Sequence, residues 1–85
     1  MISVLFVCLG NICRSPMAQT VFEEIIKLNG LRNDFYVDSA GLLDYHEGEK
    51  ADSRMLIHAS LRGYEITHRS RPVQKMEFEK FDYIV

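Results

Sequence analysis

An apolar strand that runs into a Ser-Pro helix start, with one tight loop between, constrains this chain more than any other feature. Ile2 to Val7 is almost continuously apolar and partly β-branched, the pattern of a strand buried in a sheet. Ser15 reads as a helix N-cap and Pro16 as the first helical position. Cys8, Leu9, Gly10, Asn11, Ile12, Cys13 and Arg14 lie between. A strand that hands the chain directly to a helix belongs to a parallel sheet with helices on its faces. The loop then sits at a helix N-terminus, where free backbone N–H groups and the helix dipole favour an anion.

The residue types in that loop suit one chemistry. Cys8 ends the strand, and Arg14 stands six residues later. A helix N-terminus and a nearby cation lower a thiol pKa, so Cys8 is expected to be a thiolate nucleophile. The backbone of Leu9, Gly10, Asn11, Ile12, Cys13, Arg14 and Ser15 is expected to hold the terminal oxygens of a phosphate. Gly10 is read as the sharp turn and Asn11 as a residue that tolerates left-handed backbone. Arg14 offers a planar fork that grips two phosphate oxygens and stabilises charge as it shifts in the transition state. Attack by Cys8 gives a phosphocysteine that water then hydrolyses. An inert core cysteine explains Cys8 but not the Gly, Asn, Arg and Ser-Pro around it. A metal site is not expected, because Cys8 and Cys13 need further ligands and His46, His58 and His68 lack finger-like spacing.

The rest of the chain reads as one domain over residues 1–85. Met17, Val21, Ile25 and Leu28 recur at helical spacing, predicting an amphipathic helix over 15–29 that closes at Asn29-Gly30. Residues 35–40 form a second strand, and Asp52 caps a second helix with Met55, Leu56 and Ala59 on its apolar face and Gly63 near its end. Residues 75–80 form a short helical turn and 81–85 a third strand. The fold class is α/β, a three-layer α/β/α arrangement around a parallel sheet. Its ligand site lies at the carboxyl end of the first strand. Asp38 and Asp82 read as strand-end or turn residues, Arg69 as part of a solvated loop, and Leu9 and Ile12 as extra apolar wall.

The composition is that of an ordinary globular chain, with 47% hydrophobic and 26% charged residues. A net charge of −2 argues against a nucleic-acid or membrane surface. No apolar run approaches the roughly 20 residues of a membrane helix, and no basic segment precedes the first strand. Two cysteines in one reactive loop suit a reducing compartment, so a cytoplasmic location is expected.

The stretch from Val4 to Pro16 resembles the N-terminal signature of the low-molecular-weight protein tyrosine phosphatases. Val37 to Gly41, Gly30, Asp52 to Arg54, the Gly63 region, Thr67 to Arg71 and Phe81 to Ile84 follow in that family's order. The resemblance implies a flavodoxin-like topology, hydrolysis of phosphotyrosine in a protein or a small aryl phosphate, and no cofactor. It implies that Cys8 is the nucleophile, that Arg14 binds phosphate, that Ser15 supports the thiolate and that Asn11 shapes the loop. It implies that Cys13 forms a reversible disulfide with Cys8. Tyr45 is expected to line the slot for the substrate ring, for which an aromatic face is suited. His68 and Arg71 are expected to support the loop from behind.

Family members continue for roughly as many residues again, so the sheet is expected to stop early, after its third strand. The aspartate that protonates the leaving oxygen belongs to an Asp-Pro-Tyr-Tyr-like loop, and this sequence has no Asp-Pro dipeptide. Without that acid, worth about 10²–10⁴-fold, turnover of phosphotyrosine by these 85 residues alone is expected to be poor. An open sheet edge predicts instability, association or completion of the sheet by another chain. Two alternatives stand beside the phosphatase. An arsenate reductase of the same fold needs further cysteines, which do not occur after Cys13. A non-catalytic phosphate-binding or phosphotransfer module has no need of the Arg14 fork.

Overall fold

The computed structural model describes residues 1–43 and 46–85. Strand β1 (Ile2–Cys8) lies between β2 (Phe35–Gly41) and β3 (Tyr83–Ile84), all parallel, in the order β2-β1-β3. This is the flavodoxin-like arrangement expected from alternating strands and helices. Ile2 faces Phe35 at one end of the β1–β2 pair and Cys8 faces Gly41 at the other. Both strands therefore release their chains at the same edge of the sheet.

The sheet carries a layer on each face. On one face lies helix α1 (Arg14–Leu28), whose Phe22 meets Phe6 and Phe35 edge-on, with centroids 5.7 and 5.5 Å apart. On the other face Leu5 and Ala40 pack with Phe81, which follows the short helix α3 (Glu77–Lys80). Tyr36 stacks on Phe81 at 5.8 Å. A second cluster of Ala51, Ala59 and Ile66 joins α2 (Ser53–Leu61) to Met17 of α1. Asp52 caps α2 by accepting the Met55 N–H at 3.2 Å, as its position ahead of the apolar face predicts.

Three local expectations need correction. Helix α1 begins at Arg14 with Cys13 at its cap, and Ser15 and Pro16 lie inside the first turn. Ser15 is not the cap, because its hydroxyl turns to Cys8 and Asn11 instead of to the helix backbone. Pro16 costs nothing there, since first-turn N–H groups have no helical acceptor. The inward stripe of α1 is Ser15, Gln19, Phe22 and Ile26, while Ile25 and Leu28 face solvent. That stripe is turned by about one residue, roughly 100°, from the one apolar spacing predicts. Its two polar members hide it from a hydrophobicity reading. The third strand is only Tyr83–Ile84, because Phe81 turns into the core and Asp82 binds the Ser3 N–H at 2.8 Å. The helix ends as expected: Gly30 takes φ +69°, and Leu31 N–H reaches the Ile26 carbonyl at 2.8 Å.

Candidate active site

The loop from Leu9 to Cys13 is held by its carbonyl groups. The Cys8 and Leu9 carbonyls accept from Leu42 N–H and Leu43 N–H at 3.0 and 2.9 Å. The Gly10 carbonyl accepts from the Ser70 hydroxyl at 2.8 Å, and the Ile12 carbonyl from Asp52 N–H at 2.6 Å. The Cys13 carbonyl starts α1 by accepting Met17 N–H at 3.2 Å. Carbonyls tied outward leave the N–H groups turned inward, and those of Asn11, Cys13 and Ser15 point at the Cys8 sulfur. This is an anion nest built by tertiary contacts on a helix N-terminus.

The buried centre of the loop is Asn11, not Gly10. Asn11 holds the left-handed backbone, φ +56°, and is fully buried. Gly10 is open for a different reason: a Cβ there would stand 3.0 Å from the His46 ring. The Asn11 amide is oriented without ambiguity. Arg71 N–H donates to its Oδ1 at 3.0 Å, so that atom is the oxygen, and the His68 Nε2 at 2.8 Å must also be a donor. Its Nδ2 then donates to the Ser15 and Ser39 hydroxyls at 2.8 and 3.0 Å, and Ser39 passes its own proton to Gln19 Oε1 at 2.6 Å. Ser15 receives from Asn11, so its proton is free to point at Cys8 Sγ, 3.0 Å away.

The electrostatics follow from that ordering. Burial pushes the Cys8 thiol up. The Ser15 hydroxyl and the backbone N–H groups of Ser15, Asn11 and Cys13 outweigh it, and the net shift is below the ordinary 9.0. Burial also lowers the His68 pKa; Asp38, with Oδ1 3.6 Å from Nδ1, opposes the shift only partly. Arg14 opens the helix with an exposed side chain and, among the described residues, makes no side-chain hydrogen bond.

Behind the loop, Arg71 joins both ends of the second support. Its Nε and Nη2 donate to Asp38 Oδ2 at 3.1 and 2.8 Å, and its Nη1 and Nη2 donate to the two oxygens of Glu77 at 2.8 and 2.7 Å. The bidentate bond to Arg71 holds the Glu77 carboxyl below its ordinary range. Asp38 is therefore a mid-strand anchor rather than a strand-end residue. Arg69, expected to be free in solvent, donates to the Gly48 carbonyl at 3.0 Å. Cys13 is a partly buried free thiol. Leu9 is half exposed and Ile12 partly buried, as a rim would be. Tyr45, the expected slot wall, lies outside the described residues.

Gln19, Ser39, Ser70, Asp38 and Glu77 were not singled out as loop supports by the sequence. Polar residues inside an apolar strand, Asp38 and Ser39, were the available signal. Gly41 also has a role that only packing reveals. A Cβ there would stand 3.0 Å from the Gly10 carbonyl carbon and 3.1 Å from Asn11 N, both backbone atoms. Gly41→Ala is expected to displace the loop, costing about 1–3 kcal/mol in urea unfolding and roughly tenfold in kcat on an aryl phosphate. Unchanged kcat would show that the loop tolerates the shift.

The comparisons with known proteins agree with this geometry. Residues 3–85 match the family model described as low molecular weight phosphotyrosine protein phosphatase. A phosphatase of that name from Saccharomyces cerevisiae is 40% identical over 85 residues, which is 99% of this chain and 53% of the relative. The chain thus spans about half the length of the curated relatives it matches. Among solved structures, a protein tyrosine phosphatase from Entamoeba histolytica superposes with a TM-score of 0.95 at 49% identity, over 99% of this chain and 54% of that one. A Drosophila arginine phosphatase superposes with a TM-score of 0.89 at 38% identity, over 95% of this chain and 51% of that one. With the family model matching nearly every residue, the chain belongs to the low-molecular-weight phosphotyrosine protein phosphatase family.

Proposed function

We propose that these residues form the nucleophile and phosphate-binding part of a protein tyrosine phosphatase. The observation that carries this reading is the outward tethering of the loop carbonyls, which aims the N–H groups at Cys8. Three terminal oxygens of a phosphomonoester fill the nest, and Arg14 grips two of them. The Cys8 thiolate attacks phosphorus as the bond to the aryl oxygen breaks, and that oxygen leaves with the electron pair and takes up a proton from water. Water then attacks the phosphocysteine, giving inorganic phosphate and returning the thiolate. The Ser15 hydroxyl stabilises the thiolate before attack and after release. His68 and Arg71 act through Asn11 and through the segment that carries the loop. The chemistry needs a reduced Cys8, which fits a cytoplasmic setting.

The test is rapid mixing with p-nitrophenyl phosphate, followed by acid quench and mass spectrometry. One phosphate on the peptide that carries Cys8 is expected. A burst with no such adduct would remove the nucleophile assignment. Phosphotyrosine and phosphoarginine compared side by side decide the substrate class, because the same nest accepts either phosphoryl group. Faster turnover of phosphotyrosine is expected; the reverse order would move the chain toward the activity named for its Drosophila relative.

Ser15→Ala tests the thiolate support. The Ser15 proton favours the charged form, so its loss raises the Cys8 pKa and moves the acidic limb of kcat/KM to higher pH. A hydrogen bond to a charged group supports roughly a 10- to 100-fold loss at neutral pH. Alkylation of Cys8 by iodoacetamide across pH gives the same shift without turnover. An unmoved limb would mean that the backbone N–H groups alone set the thiolate.

A further inference from the structure

We infer that the outer face of α2 is a docking subsite for an acidic peptide segment next to the phosphorylated residue. The inference rests on the phosphatase reading and names the class of protein substrate that the site prefers. Arg54 and His58 on α2 and Arg62 at its C-cap stand four residues apart, so they share one face. All three are exposed, and they line a groove of about 540 Å³. Cys13 of the anion loop and Met17 of α1 form its opposite wall. The groove therefore opens beside the phosphate nest. The link is rigid, because Asp52 N–H holds the Ile12 carbonyl at 2.6 Å and the Asp52 side chain caps the same helix.

Charge argues for the occupant. The chain carries a net charge of −2, yet this face presents two guanidinium groups and an imidazole. Among the described residues the one carboxylate on the groove, Asp52, is turned to the Met55 N–H. The loop that reaches Gly10 through His46 carries both signs: Glu47, Glu49 and Lys50 are exposed, Glu49 pairs with His46, and Arg69 donates to the Gly48 carbonyl. An extended peptide whose phosphate sits in the nest meets cations along α2 and mixed charge at the His46 loop. Acidic residues on its α2 side are attracted, and basic ones are repelled. Met17, Met55 and Ala59 give the groove an apolar lining, so it also receives one aliphatic side chain from the same segment.

The experiment compares three phosphotyrosine peptides on the complete polypeptide that carries these residues. One has glutamates on both sides of the phosphotyrosine, one has alanines and one has lysines. The wild type is expected to favour the acidic peptide over the alanine peptide, with a preference that shrinks as salt rises. The Arg54→Glu/Arg62→Glu variant should lose about tenfold in kcat/KM on the acidic peptide through KM, and little on the alanine peptide. The milder Arg54→Gln/Arg62→Gln variant should lose less in the same order. p-Nitrophenyl phosphate does not reach the groove, so its turnover should stay within about twofold in both variants. Normal turnover of that ester with no peptide preference, or with a preference both variants keep, would overturn the α2 subsite alone. No turnover of the ester by the wild type would overturn the phosphatase reading, and the subsite with it.

Discussion

Cys8→Ser should reduce turnover of p-nitrophenyl phosphate by at least about 10⁴-fold while leaving phosphate binding nearly intact. On the proposed mechanism Cys8 supplies the attacking sulfur. Losing an essential nucleophile removes most of what a catalytic unit contributes beyond binding. Among the described residues a serine hydroxyl at this position finds no general base, because His68 Nε2 already bonds Asn11 Oδ1 at 2.8 Å. The nest itself stays, since its carbonyl tethers do not involve the Cys8 side chain. Calorimetric titration with inorganic phosphate should therefore give affinity within a few-fold of the wild type. Loss of binding together with activity would mean that the sulfur organises the loop, and residual turnover above 1 part in about 10² would point to a second nucleophile.

Arg71→Ala should give the largest loss of stability, roughly 3 kcal/mol in urea unfolding. Four side-chain hydrogen bonds join this guanidinium to Asp38 and Glu77, and Glu77 is only 7% exposed. Truncation leaves a buried carboxylate without its partner, which costs far more than the intact pair is worth. Arg71→Lys keeps the charge but not the fork, so an intermediate loss is expected. Acid should reproduce part of the effect in the wild type. The Glu77 carboxyl is held below its ordinary 4.5, so its contribution is complete above that pH. As pH falls through the lowered native value, that contribution is lost. Glu77→Gln should flatten this limb of the stability profile. An Arg71→Ala protein as stable as the wild type from pH 7 to pH 4 would show that the cluster adds nothing to the fold.

The two effects separate chemistry from support. Arg71 also holds the loop through its backbone, by N–H to Asn11 Oδ1 and by its carbonyl to Gly41 N–H at 2.8 Å. Those bonds survive truncation of the side chain. Activity of Arg71→Ala under conditions where it stays folded is therefore expected to fall much less than that of Cys8→Ser.

The linear order of residues already determined the βα unit and the loop that joins its strand to its helix, with Cys8 at one end and Arg14 at the other. Those features are local. A strand, a Gly-Asn loop and a helix start fall within one short stretch, so neighbouring residues encode each of them. The caps of α1 and α2 at Gly30 and Asp52 were legible for the same reason. Tertiary structure decided which groups hold that loop in shape. Asn11 gathers His68 and Arg71 across 57 and 60 residues, and Ser70 reaches Gly10 across 60. No local pattern encodes such meetings. They arise because parallel strands release Cys8 and Gly41 at the same edge and bring segment 68–73 against both. The same packing overruled two local readings. It drew the Ser15 hydroxyl away from its cap to the sulfur, and it turned α1 so that Ser15 and Gln19 face inward. A buried polar group must find a partner, and here the demand of the loop outweighed the apolar spacing of the helix.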